Sequence, residues 1–264
     1  MARIVAVTNQ KGGVGKTTTC VNLAASLAAT KRKVLLIDFD PQGNATMGSG
    51  VDKHGVERTN YDLLTRKAPV DAIIVNADQA GYDLLPANGD LTAAEVELMN
   101  EIGREHRLRL ALKEVRDRYH YILIDCPPSL NLLTVNALSA ADSVLIPMQC
   151  EYYALEGLAA LMNTVEQIRE TVNPALEIEG ILRTMYDPRN SLTVDVSTQL
   201  LEHFGDKVYK SVIPRNVRLA EAPSHGLPAL KYDRASKGAL AYLALAGEMV
   251  RKSGAGKARE AATA

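Results

Sequence analysis

Residues 9–19, NQKGGVGKTTT, join an apolar run, RIVAV, to a helix-like segment. Glycines there free backbone N–H groups to face an anion, and a helix N-terminus adds partial positive charge. A lysine followed by a threonine offers an ammonium to terminal phosphates and a hydroxyl to magnesium. Lys16 and Thr17 hold those two places. The ordinary pattern, G-x-x-x-x-G-K-[ST], puts its first glycine where this chain has Gln10, whereas here Gly12 and Gly13 lie inside the loop behind a second lysine, Lys11. The expected chemistry is phosphate binding by a loop of deviant form, with one lysine more than that chemistry needs.

Carboxylates follow two further apolar runs. VLLIDFDPQGN places Asp38 and Asp40 after one of them, and YILIDCPPS places Asp125 after another, with prolines that stop each run and turn the chain outward. Carboxylates beside a phosphate loop suit magnesium, which takes oxygen ligands, and can orient or deprotonate an attacking water.

These groups converge only if the elements bring them together. RIVAV, KVLLID, YILID, SVLIPM, EIEGILRTMY and YKSVIP read as strands, with helix-like stretches between them. Their Val, Ile and Leu are nearly continuous rather than alternating, so the strands are expected to be buried on both faces. That predicts an α/β fold: a doubly wound, mainly parallel sheet with helices on each side and its ligand at the carboxyl ends of the strands. Residues 51–100 are expected to be helices and loops beside the sheet. One domain over 1–252 and a frayed tail over 253–264 complete the layout.

A 264-residue chain that is 47% hydrophobic can build a sizeable core, which argues against a disordered or disulfide-stapled protein. Cys20, Cys126 and Cys150 are too dispersed for a metal or disulfide framework, and no apolar run approaches the roughly 18 residues of a membrane span, so a cytoplasmic protein is expected. Net charge is −1, but from Gly205 onward eleven Lys/Arg face five Asp/Glu, so the C-terminal quarter is basic.

In order and spacing, KGGVGKTT, DFDPQGN, DCPPS and IPRNVRLAEAPSHGLPALKYD resemble the ParA/Soj chromosome- and plasmid-partitioning ATPases, within the wider deviant Walker A, MinD-like class. The resemblance implies ATP and Mg²⁺ as cofactors. ATP would be held by the loop (Lys11, Gly12, Gly13, Val14, Gly15, Lys16, Thr17 and Thr18), with Pro214 and Asn216 near the adenine. It makes Thr17, Asp38 and Asp125 the magnesium-side groups and Asp40 the residue that positions or activates water. Lys11 becomes the signature lysine, reaching the nucleotide of a second ATP-bound subunit, and Gly12 lies where two backbones meet. Arg189 and Arg218 match positions implicated in binding double-stranded DNA without sequence preference, as a counterion-releasing surface would. A ParB/Spo0J-type partner and a nucleoid location are implied as well.

Two other functions share the fold. A small-molecule enzyme similar to dethiobiotin synthetase would need a substrate pocket but no basic face. A MinD-like positioning protein would need a lipid-binding C-terminal helix, yet residues 251–264 hold nothing apolar larger than alanine. Leu240, Leu243 and Met249, just before, are expected to pack on the core, so no membrane partner is expected.

Overall fold

Because β-branched and leucine side chains occupy successive strand positions, each strand feeds two cores at once. In the computed structural model, which describes residues 1–263 and side-chain exposure through Ser253, β1 (Arg3–Val7) turns Ile4 and Ala6 to one face and Val5 and Val7 to the other. β2 (Val34–Asp38), which follows α1 (Lys16–Ala29), divides its Leu and Ile residues in the same way.

The chain continues through α2 (Asn44–Gly48) and α3 (Asn60–Leu64) to two short strands, β3 (Val75–Ala77) and β4 (Tyr82–Leu85). Next come α4 (Leu91–Glu97), α5 (Arg107–Leu112), β5 (Tyr121–Asp125), α6 (Leu132–Ala140), β6 (Ser143–Gln149) and α7 (Ala154–Thr171). The last part comprises β7 (Glu177–Tyr186), α8 (Ser191–Phe204), β8 (Val208–Pro214), α9 (Val217–Glu221), α10 (Ala229–Tyr232) and α11 (Lys237–Thr263). The eight strands form one sheet in the order β3-β4-β2-β5-β1-β6-β7-β8, parallel except for β3 against β4. The doubly wound sheet read from the sequence is therefore present.

Helices α1, α10 and α11 cover one face, while α5 to α8 cover the other. The chain leaves β1 into α1 on the first face and leaves neighbouring β5 into α6 on the second, so a crevice opens between them at the carboxyl edge. Ligands of such sheets bind at that switch point.

Two expectations need correction. Residues 51–100 contribute β3 and β4 to the sheet; both are short, and Asn76 and Asp83 break their apolar character while bonding each other across the pair at 3.2 Å. On α11 the core-facing stripe is Ala239, Tyr242, Leu245, Ala246 and Met249, whereas Leu240 is 53% exposed because it points off that stripe. The expected frayed tail lies outside the described side chains, apart from Ser253, whose hydroxyl meets Arg3 and Tyr121.

Candidate nucleotide site

The loop between β1 and α1 is shaped by its glycines. Gly13 and Gly15 take left-handed φ values of 73° and 88°, a region that any side chain with a Cβ strains to occupy. Gly15 caps α1, whose first turn presents free N–H groups to an anion. Lys16 lies buried across the loop, its Nζ donating to the Lys11 carbonyl at 3.2 Å. Burial lowers its pKa, and the negative charges of Asp125 and Asp40 oppose that shift. Both carboxylates are therefore felt at the Lys16 ammonium.

Strand register explains the convergence. Val7 pairs with Asp125 and Asp125 with Asp38, so the end of β1 and the two acids stand side by side. Asp38 and Asp125 are both fully buried. Asp38 Oδ2 accepts from the Thr46 backbone N–H and hydroxyl, each at 2.7 Å, and Oδ1 accepts from the Asp40 N–H. Asp125 Oδ1 accepts from the Cys20 thiol at 3.5 Å, whereas Oδ2 is buried with no partner. Burial raises both acids above the usual carboxylate range; Asp38 raises Asp125 further, the nearby Thr17 hydroxyl opposes the rise at Asp125, and hydrogen bonds from Thr46 oppose it at Asp38.

An orphaned carboxylate oxygen beside a threonine hydroxyl is a donor set that fits Mg²⁺. Among the described residues no three His, Cys, Asp or Glu side chains form a metal cage, so any magnesium here would also draw on phosphate oxygens and water. Asp40 is half-buried in the turn after β2, where its Oδ1 accepts from the Gln42 N–H at 3.0 Å.

Lys11 is placed quite differently from Lys16. Its Nζ pairs with Glu151 at 2.6 Å, both side chains nearly half-exposed, just before α7. Gln10, in the place of the usual glycine, donates to Thr164 of α7 at 3.2 Å. A side chain built on Gly12 would meet nothing of its own chain within 4 Å.

A cavity of about 350 Å³ adjoins Gly15 and Thr18. Met185, Ile213, Leu219 and Tyr242 give it apolar walls, while Pro214 and Asn216 line its rim. The Asn216 amide oxygen is buried and unpaired, which suits a base carrying hydrogen-bond donors.

Arg189 and Arg218 lie apart from the loop and are already engaged. Asp187 holds Arg189 through two bonds at 2.9 and 2.7 Å, and Arg218 pairs with Glu221 at 2.7 Å and Asp233 at 3.3 Å. Arg189 pulls the Asp187 carboxyl down to about 2.

Three groups at the site were not singled out in the sequence: Thr46, Glu151 and Thr184, whose hydroxyl donates to the Val14 carbonyl at 2.8 Å. Glu151 was within reach of the rule that found Asp38 and Asp125, since it too follows a strand. Thr46 and Thr184 carry no local signal.

Loop, sheet order and strand-end acids together define a P-loop ATPase of the deviant type. The family model described as AAA domain matches residues 2–178. The sporulation initiation inhibitor protein Soj of Bacillus subtilis is 56% identical over 94% of this chain and 98% of its own length. The chromosome partitioning protein ParA of Caulobacter vibrioides is 53% identical over 95% and 94%. Among solved structures, cobyrinic acid a,c-diamide synthase from Mycobacterium smegmatis, with bound ATP analog and magnesium, gives a TM-score of 0.85 at 36% identity, covering 97% of each chain. The chain is an ATPase and belongs to the ParA/Soj family of chromosome-partitioning proteins.

Proposed function

We propose that this ATPase is a DNA-partitioning switch, with residues 1–252 forming its single ATPase domain. ATP binding closes a face-to-face homodimer, the dimer holds double-stranded DNA without reading sequence, and a ParB/Spo0J-type partner stimulates the hydrolysis that releases it. Its working place is the nucleoid, in the cytoplasm.

The observation that carries this reading is Lys11. Lys16 already serves the chain's own cradle, while Lys11 stands half-exposed on Glu151 beside a Gly12 that its own chain does not crowd. A cation and an uncovered backbone at the mouth of a nucleotide site suit a second subunit, and charge delivered across an interface makes phosphoryl transfer depend on assembly. Thr17, Asp38 and Asp125 would hold the magnesium, which would supply positive charge against the developing phosphate charge. Asp40 orients or deprotonates the attacking water. Pro214 and Asn216 hold the base, and Arg189 and Arg218 exchange their carboxylate partners for DNA phosphates.

The small-molecule reading draws on the amide-forming synthase among the similar structures. Against it, two larger cavities among the described residues lie away from the loop, one at the amino ends of β2 and β4 and one between α3 and α5. The chromosome partitioning protein ParA of Caulobacter vibrioides is also more similar in sequence to this chain than that synthase is.

Light-scattering mass in Mg-ATP tests the proposal. Wild type and Asp40→Ala are expected to reach the dimer mass, Asp40→Ala persistently because hydrolysis falls on the order of a hundredfold or more. Lys11→Ala is expected to bind nucleotide yet stay monomeric. A wild type that remains monomeric in ATP contradicts the proposal.

A further inference from the structure

A planar trans peptide points its carbonyl and the following N–H in opposite directions. Whatever captures the Val14 carbonyl therefore also aims the Gly15 N–H. That carbonyl is captured by a side chain distant in sequence, the Thr184 hydroxyl at the carboxyl end of β7, across 2.8 Å in a fully buried setting. Thr184 approaches Gly15 as well, since its Cγ2 lies 4.0 Å from where a Gly15 Cβ would stand.

The next residue, Met185, is one of three non-glycines with positive φ among the described residues, at 49°. Such a conformation is disfavoured for any residue with a Cβ and persists only where the surroundings enforce it. Thr184 and Met185 also line the cavity next to the loop, so the strained turn and the clasp lie at one place in the site.

We propose that Thr184 is a positioning residue of the ATPase. By drawing the Val14 carbonyl toward β7, it turns the Gly15 N–H toward the phosphate cradle that Lys16 spans. Lys16 acts alike on the other end of the loop, where it holds the Lys11 carbonyl. The loop's peptides are thereby oriented before nucleotide arrives, and an N–H that needs no reorientation binds phosphate more tightly. The inference rests on the ATPase itself and not on DNA binding or dimerisation.

Replacing Thr184 with valine keeps the shape and removes the hydroxyl, while serine keeps the hydroxyl. Titration of the full chain with fluorescent ADP and with a non-hydrolysable ATP analogue reads the effect. Thr184→Val is expected to weaken both by about tenfold, the cost of one misdirected buried hydrogen bond. Thr184→Ser is expected to stay within about twofold of wild type. A bond that merely braces the fold would lower the nucleotide-free melting temperature and leave affinity unchanged, and that result overturns the proposal. So does a folded Thr184→Ser as weak as Thr184→Val. Should the valine variant not fold, Thr184→Ala against Thr184→Ser repeats the comparison without added apolar bulk. If wild type shows no ATP-dependent DNA retention, the partition reading falls, and the ADP titration still decides the role of Thr184.

Discussion

With its Nζ on the Lys11 carbonyl, the Lys16 ammonium already occupies the mouth of the loop, so Lys16→Ala is expected to abolish nucleotide binding in the same titration. Gly12 tests the opposite kind of residue. Nothing of its own chain lies within 4 Å of an added Cβ, so Gly12→Val is expected to melt within about 2 °C of wild type and to bind ATP. It is expected to lack the ATP-dependent dimer, and a variant that dimerises in ATP would place the subunit contact elsewhere. Asp38 and Asp125 add a pH dependence. Burial raises both carboxyls, so the folded chain holds more protons than the unfolded one from the ordinary carboxylate range up to those raised values. Stability contributed by these acids is present at low pH and declines as pH rises through that window. Magnesium bound at these acids would compete with those protons. The gain in melting temperature from Mg²⁺, with saturating nucleotide throughout, is therefore expected to be larger at about pH 8.5 than at about pH 6.5. An equal gain would show that these carboxylates do not meet the metal. Most of these residues could be found in the sequence because each belongs to a short pattern, GKTT or a strand-end Asp. Thr184 could not, because its partner is 170 positions away.

The elements were legible to different degrees, for a physical reason. Strands buried on both faces announce themselves as continuous apolar runs, and β1, β2, β5, β6, β7 and β8 were read that way. β3 and β4 were missed because three or four residues interrupted by Asn76 and Asp83 make no such run; tertiary contacts, including the Tyr119 hydroxyl donating to Asp83 at 2.8 Å, hold β4 in place. The α11 stripe was misassigned at Leu240 because alanines, not large residues, complete its buried face. One buried threonine joins two elements to the site. Thr46 of α2 donates its hydroxyl to Asp38 and accepts from the Ala87 N–H, beyond β4, at 3.0 Å. Thr46→Val is expected to lower unfolding free energy by about 2–3 kcal/mol in denaturant titration, since it leaves buried partners unpaired. A change below about 0.5 kcal/mol would mean that water or a shift of α2 replaces both bonds.

For the whole molecule, the proposed function puts a DNA-holding assembly under the control of nucleotide state. The resemblance to ParA/Soj ATPases implies this, but sequence alone does not show that Arg189 and Arg218 are each tied to acids of their own chain. In the proposed switch DNA phosphate would have to outcompete those carboxylates, which would make single-subunit binding weak and give assembly its leverage. Gel retention of double-stranded DNA with ATP, ADP or no nucleotide, at two salt concentrations, tests the claim most directly. With Arg189 and Arg218 of both subunits on DNA, the proposed complex has four phosphate contacts. From about 50 to about 200 mM salt, affinity is then expected to fall on the order of a hundredfold. The account predicts retention in ATP alone, steeply salt-dependent, persistent in Asp40→Ala and absent in Lys11→Ala and Arg218→Glu. Retention that is equal in ATP, ADP and no nucleotide, or absent in all three, would contradict it.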